Sequence, residues 1–182
     1  MMSDIAGERR TLAAYPQRRG LAFVVLGEGR ELRSYGRKWI IREKRHRTVA
    51  AMIDLLGRFQ PGQVVLEDAA DPDLRRTRGT CRLLAELDRA SRGCGLVPQL
   101  VTRAQQLHAF RGRDCANKDE RATLIAQLYP VLQRRLPPRR EIWMAESESM
   151  GVFDAMSLAL AHVGLPEGPV EDELTRFQQL LQ

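Results

Sequence analysis

The stretch Thr11-Leu-Ala-Ala-Tyr-Pro-Gln-Arg-Arg-Gly-Leu-Ala-Phe-Val-Val-Leu-Gly27 reads as two short strands joined by a tight turn between Pro16 and Gly20. Residues 10–15 and 20–27 are apolar or β-branched and bounded by turn formers, the pattern of paired strands. Gly27-Glu28-Gly29 makes the next turn, and residues 31–41 follow as a third strand of alternating character. Three strands in immediate succession imply an antiparallel meander, because a parallel pairing needs a long crossover.

Beyond the meander the pattern changes. The basic run Arg42-Glu-Lys-Arg-His-Arg47 leads into a helix in which Val49, Met52, Ile53 and Leu56 recur at i, i+3, i+4 and i+7, one apolar stripe. Pro61-Gly62 ends it, and residues 63–68 (QVVLED) are a compact apolar run suited to a buried central strand. After a polar, basic loop, a second helix over 79–92 carries Leu83, Leu84 and Leu87, and residues 96–102 read as a fifth strand. Pro98 assigns that strand to an edge, since proline cannot donate to a ladder. A helix over 103–110, the loop Arg111–Asn117, and a helix from Lys118 with the stripe Ala122, Ile125, Ala126 and Tyr129 come next. A proline-broken connection precedes a small-residue helix over 153–165. Three strands followed by alternating helix and strand give an α/β layout around a mixed five-stranded sheet. We expect a polar arm over 1–9, one domain over 10–165, and a tail or short helix over 166–182.

The chain has 182 residues, 29 Lys+Arg against 23 Asp+Glu, and a formal net charge of +6. Such a balance favours a polyanionic partner, because basic side chains displace counterions from phosphate. The three cysteines, Cys81, Cys94 and Cys115, have neither zinc spacing nor a disulfide framework. With no apolar run of membrane-spanning length and no hydrophobic signal core, we expect a cytoplasmic protein with no membrane association.

In that order of elements, four local sequences resemble the RuvC family of Holliday junction resolvases, over about residues 11–165. Tyr15-Pro16-Gln17-Arg18-Arg19-Gly20-Leu21-Ala22-Phe23 resembles the family's Asp-Pro strand and turn, except at its first member. Val64-Val65-Leu66-Glu67-Asp68 resembles the strand ending in a catalytic glutamate. Residues 110–122 (FRGRDCANKDERA) resemble the glycine loop and helix-opening lysine, which carries over Gly112 and Lys118. Residues 153–162 (FDAMSLALAH) resemble the final helix, with Asp154 at its aspartate.

The resemblance implies the ribonuclease H-like fold, with three antiparallel then parallel strands flanked by helices. It also implies a homodimer acting on branched or structured DNA, nucleoid-associated when bound. Nucleases of this kind use two divalent cations, Mg2+ or Mn2+, roughly 3.5–4 Å apart. Glu67 and Asp154 become the implied metal ligands, and Lys118 a phosphate or charge-stabilising group. Tyr15 stands where the central aspartate is expected, and a neutral phenol is a poor magnesium ligand. Gly151 stands where a further acid is common. Glu146 and Glu148 are candidates to compensate; Asp68, adjacent to Glu67 on a strand, should face the other side. Arg18, Arg19, Arg75, Arg76, Arg78, Arg103, Arg111, Arg113 and Lys118 are the expected nucleic-acid contacts, positioning a backbone without reading sequence. Bland readings stand beside these: Asp154 as an acid favoured by a helix N-terminus, Lys118 as a solvated first-turn residue, and charge runs as solvated faces. Tyr15 either packs over the site or stacks on a base. A binder without cleavage, a working endonuclease, or a scaffold for protein or RNA partners are the functions left open.

Overall fold

The computed structural model describes residues 9–139 and 147–170. Strands β1 (Thr11–Gln17), β2 (Gly20–Leu26) and β3 (Leu32–Trp39) form the meander; β4 (Gln63–Glu67) and β5 (Gln99–Val101) complete the sheet. The order is β3-β2-β1-β4-β5, with β1/β2 and β2/β3 antiparallel and β1/β4 and β4/β5 parallel. The helices are α1 (Lys44–Phe59), α2 (Arg78–Gly93), α3 (Arg103–Ala109), α4 (Lys118–Leu128) and α5 (Met150–Val163), with a 3-10 segment at Pro130–Arg135. The expected mixed five-stranded sheet flanked by helices is therefore present.

Strand alternation sorts the core into two layers. Leu12, Ala14, Phe23, Val25, Val64 and Leu66 face α1 and α2, meeting Met52, Leu55, Leu83 and Leu87. Ala13, Val24, Val65 and Val101 face the other way, toward α4 and α5. Helix α5 buries a continuous run, Met150–Leu160, where Gly151, Ala155 and Ala159 let it lie close on the sheet. Gly20 closes the β1–β2 turn at φ +143°, and a Cβ there would stand 1.8 Å from the Lys38 carbonyl oxygen, so only glycine fits.

Several expected details differ. In α1 the buried stripe is Thr48, Met52, Leu55 and Leu56, and Ile53 is 47% exposed. Five neighbouring apolar residues admit two stripes, and packing on β2 selects the one containing Leu55. Helix α1 also begins at Lys44, so the basic run forms its first turn instead of leading into it. Strand β5 is an edge strand, as Pro98 implied, but shorter, because Leu96 N–H turns back to the Ser91 carbonyl. Helix α5 starts at Met150, earlier than expected, after a turn in which Met150 N–H donates to Ser147 O. Of the expected arm and tail, residues 1–8 and 171–182 lie outside the described residues. Among the described residues no helix is long and apolar enough to cross a membrane.

Candidate functional site

The parallel pairing of β1 with β4 ends at Ala13–Val65, although both strands run further. Two residues on, along the same face, come Tyr15 and Glu67. Asp154, in the second turn of α5, lies over that face. The geometry brings these residues together at the carboxyl ends of the parallel strands, where open α/β sheets place ligands. Tyr15, Glu67, Asp154 and Lys118 line one cavity of about 400 Å³.

Glu67 and Asp154 are only 6% and 8% exposed. A carboxylate so withdrawn from water needs a partner, and each has a basic one. Arg76 donates from Nε at 3.0 Å and from Nη2 at 2.7 Å, both to Glu67 Oε2. Lys118 Nζ lies 2.8 Å from Asp154 Oδ2. Tyr15 stands among both pairs: the Arg76 guanidinium is 4.1 Å from the ring centroid, a cation–π distance, and Lys118 Nζ is 5.7 Å away. Burial opposes the Arg76 charge, but Tyr15, Glu67 and, more weakly, Asp154 outweigh it and raise its pKa.

The segment that presents Arg76 is a built loop. Asp68 Oδ1 accepts from Ala70 N–H, and Asp71 Oδ1 accepts from Asp73 N–H. Asp71 Oδ2 accepts from Arg103 N–H at 2.7 Å, tying the loop to α3. Asp68 is thus spent on a turn and does not line the cavity. Lys118 is fixed by its own helix start: Asn117 caps α4 by accepting from Glu120 N–H, so Lys118 is the first helical residue.

Around this centre the cavity is cationic. Arg75, Arg103 and Arg121 join Arg76 and Lys118 in its lining. A second cavity of about 440 Å³ shares Tyr15, Arg76 and Asp154 and continues past Gln17, Arg18, Arg19 and Glu148. Lys44 belongs to the same basic field: burial, then Arg76 and Arg18, push its pKa down. Arg78 heads α2 and lines neither cavity; Arg111 lines a separate cavity beside His108 and His162. Arg113 donates from Nη2 to the Pro166 carbonyl, away from the groove. Glu146 lies outside the described residues.

Do these residues suit the metal pair that the resemblance implies? Magnesium wants several hard oxygen ligands in near-octahedral array. Here Tyr15 offers only a phenol, and Glu67 and Asp154 are each held by a protein cation. Glu148, the described compensating candidate, is drawn to Arg19 Nη1 at 3.4 Å and Arg37 Nη1 at 3.7 Å. At Gly151 a Cβ would fall 2.0 Å from Gln17 Nε2, which donates to the Glu148 carbonyl. A side chain at Gly151 would therefore require the Gln17 amide to move. Among the described residues no three His, Cys, Asp or Glu side chains cluster to hold a metal. The donor set does not fit a two-metal centre; it suits capture of an anion.

Sequence reasoning missed Arg121, Gln17 and the particular part of Arg76. Arg121 follows Lys118 by three positions, so it shares the Lys118 side of α4, a signal that spacing alone offered. Gln17 carried no signal, because its contact with Gly151 spans the fold.

The same fold is found in Thermus thermophilus RuvC, with 18% identity over 84% of this chain and 92% of that one, at a TM-score of 0.58. T. thermophilus RuvC in complex with a Holliday junction substrate matches at 17% identity, 85% and 92% coverage, and TM-score 0.56. The yeast mitochondrial Holliday junction resolvase Ydc2 matches at 9% identity, over 86% and 78%, with TM-score 0.54. No protein-family model matches the chain, and no curated protein does. The chain thus has the RuvC fold, of ribonuclease H-like type.

Proposed function

We propose that this protein is a RuvC-like binder of branched DNA that no longer cleaves it by metal-dependent hydrolysis. The observation that carries the reading is the Arg76–Glu67 pair beneath Tyr15, which turns a carboxylate pocket into a cationic one. Hydrolysis on this fold needs carboxylates that gather divalent charge. Here those carboxylates orient protein cations instead. Arg75, Arg103, Arg121 and Lys118 hold phosphate oxygens on one side of Tyr15, and Arg18 and Arg19 on the other. Contacts of this kind read the path of the backbone, which is how a branched structure differs from a linear one. The fold's likeness to a resolvase solved with a Holliday junction supports that ligand class. A homodimer matching the symmetry of a four-way junction, working in the cytoplasm on nucleoid DNA, belongs to the same reading.

The test is a binding and cleavage experiment with four-way junction, duplex DNA and structured RNA across a salt series, with Mg2+ and Mn2+. We expect preferential junction binding and intact strands. Magnesium-dependent scission that Glu67→Gln abolishes would defeat the proposal. The working-endonuclease alternative draws on Glu148, which shares a cavity with Asp154; it requires that Glu148→Gln abolish cleavage. Equal indifference to every nucleic acid would favour the scaffold.

A further inference from the structure

We infer that Arg76 is a built-in substitute for a divalent cation: wedged between Glu67 and Tyr15, it closes this site to metal even when aspartate is restored at position 15. The inference deepens the proposed reading and rests on it for the meaning of the site.

Three independent features converge on it. First, Arg76 turns two N–H groups on one oxygen of a buried carboxylate, so a metal that drew on Glu67 would compete with a charge-assisted pair for its charge. The pair is well withdrawn from water, with side chains 19% and 7% exposed. Secondly, the guanidinium carbon lies over the Tyr15 ring, 4.1 Å from its centroid, so the phenol at position 15 and the cation form one cation–π unit. An aspartate at 15 would meet Arg76 first and add a second acid to the same guanidinium. Thirdly, the neutral Gln17 amide, bonded to Glu148 O, occupies the space over Gly151 and would have to move to admit a further ligand there. A divalent ion introduced beside Arg76 would also face a like charge in a partly desolvated cavity. Position 15 is therefore one of three places where the ligand set has been overwritten.

The experiment is a manganese titration of the whole chain followed by the paramagnetic resonance of free Mn2+. It compares the natural protein, Tyr15→Asp, and Tyr15→Asp with Arg76→Gln. We expect no stoichiometric binding in the first two. The double variant should bind roughly tenfold or more tightly than Tyr15→Asp, the ratio expected for removing one adjacent like charge. Binding by the natural protein, or equal binding by Tyr15→Asp and the double variant, would overturn the inference. Should the double variant fail to fold by circular dichroism, the natural protein decides in a second arm. Its junction affinity should be the same in EDTA and in Mn2+, and tightening by roughly tenfold with Mn2+ would overturn the inference. Absence of any junction binding would defeat the proposed function, while the DNA-free manganese arms still judge Arg76.

Discussion

Glu67 and Asp154 are buried almost equally and each is paired with a basic side chain, yet the two pairs are built differently. Arg76 comes from a loop, grips with two donors, stacks on Tyr15 and keeps only 19% of its side chain in solvent. Lys118 comes from the open end of a helix, offers a point charge, and is 35% exposed. A planar guanidinium held on one face by Tyr15 and along one edge by Glu67 is part of the fold, whereas a flexible ammonium lining the cavity can be shared with a ligand. One half of the groove is closed upon itself, and the other is more exposed to solvent.

Removing each base separates the halves most strongly. Arg76→Ala leaves Glu67 buried without its counter-charge and should cost about 3 kcal/mol of stability by denaturant unfolding. Adding Glu67→Gln should recover much of that loss, since the uncompensated charge is its source. A near-neutral Arg76→Ala would break the comparison. Lys118→Ala, after allowance for its exposure, should cost only about 1 kcal/mol while weakening junction binding. If its effect on stability equals that of Arg76→Ala, the open half is as structural as the closed one.

The flanking arginines sharpen the open half further. Arg103→Ala and Arg121→Ala should each leave stability unchanged and flatten the slope of log affinity against log salt by about 0.9, the loss of one phosphate contact. Arg78→Ala, outside both cavities, should leave the slope as it is.

The smallest effect lies far from the groove. Burial lowers the pKa of His162, whose Nε2 is 3.2 Å from Gln63 Oε1. The folded state then binds fewer protons than the unfolded chain. Its contribution is complete above the ordinary pKa of 6.5 and is lost as pH falls through the lower folded value. His162→Gln should flatten that part of the stability profile without altering junction binding.

Much of the site was legible in the sequence. Short apolar runs bounded by turn residues put Tyr15 and Glu67 on strands, and residue parity sent Asp68 away from Glu67. The resemblance supplied Asp154 and Lys118, which the geometry joins at 2.8 Å. Arg76 was visible only as one basic residue among several in a loop without periodicity. Its partner is nine positions away, at a distance set by loop hydrogen bonds and not by helix or strand spacing. Arg78, two positions later, has the same chemistry and starts a helix outside the cavities. Ile53 and Leu55 in α1 teach a similar lesson: composition permits two stripes, and the sheet chooses.

The sequence by itself determined the order of strands and helices and the positive charge, because local periodicity and composition need no distant partner. It also put a phenol at position 15, where the resemblance implies a carboxylate. Only the tertiary structure decided which cation meets which acid, and that Gln17 fills the volume above Gly151. Those outcomes depend on side chains from separate elements competing for one small desolvated space, where distance and burial, not residue type, select the pair.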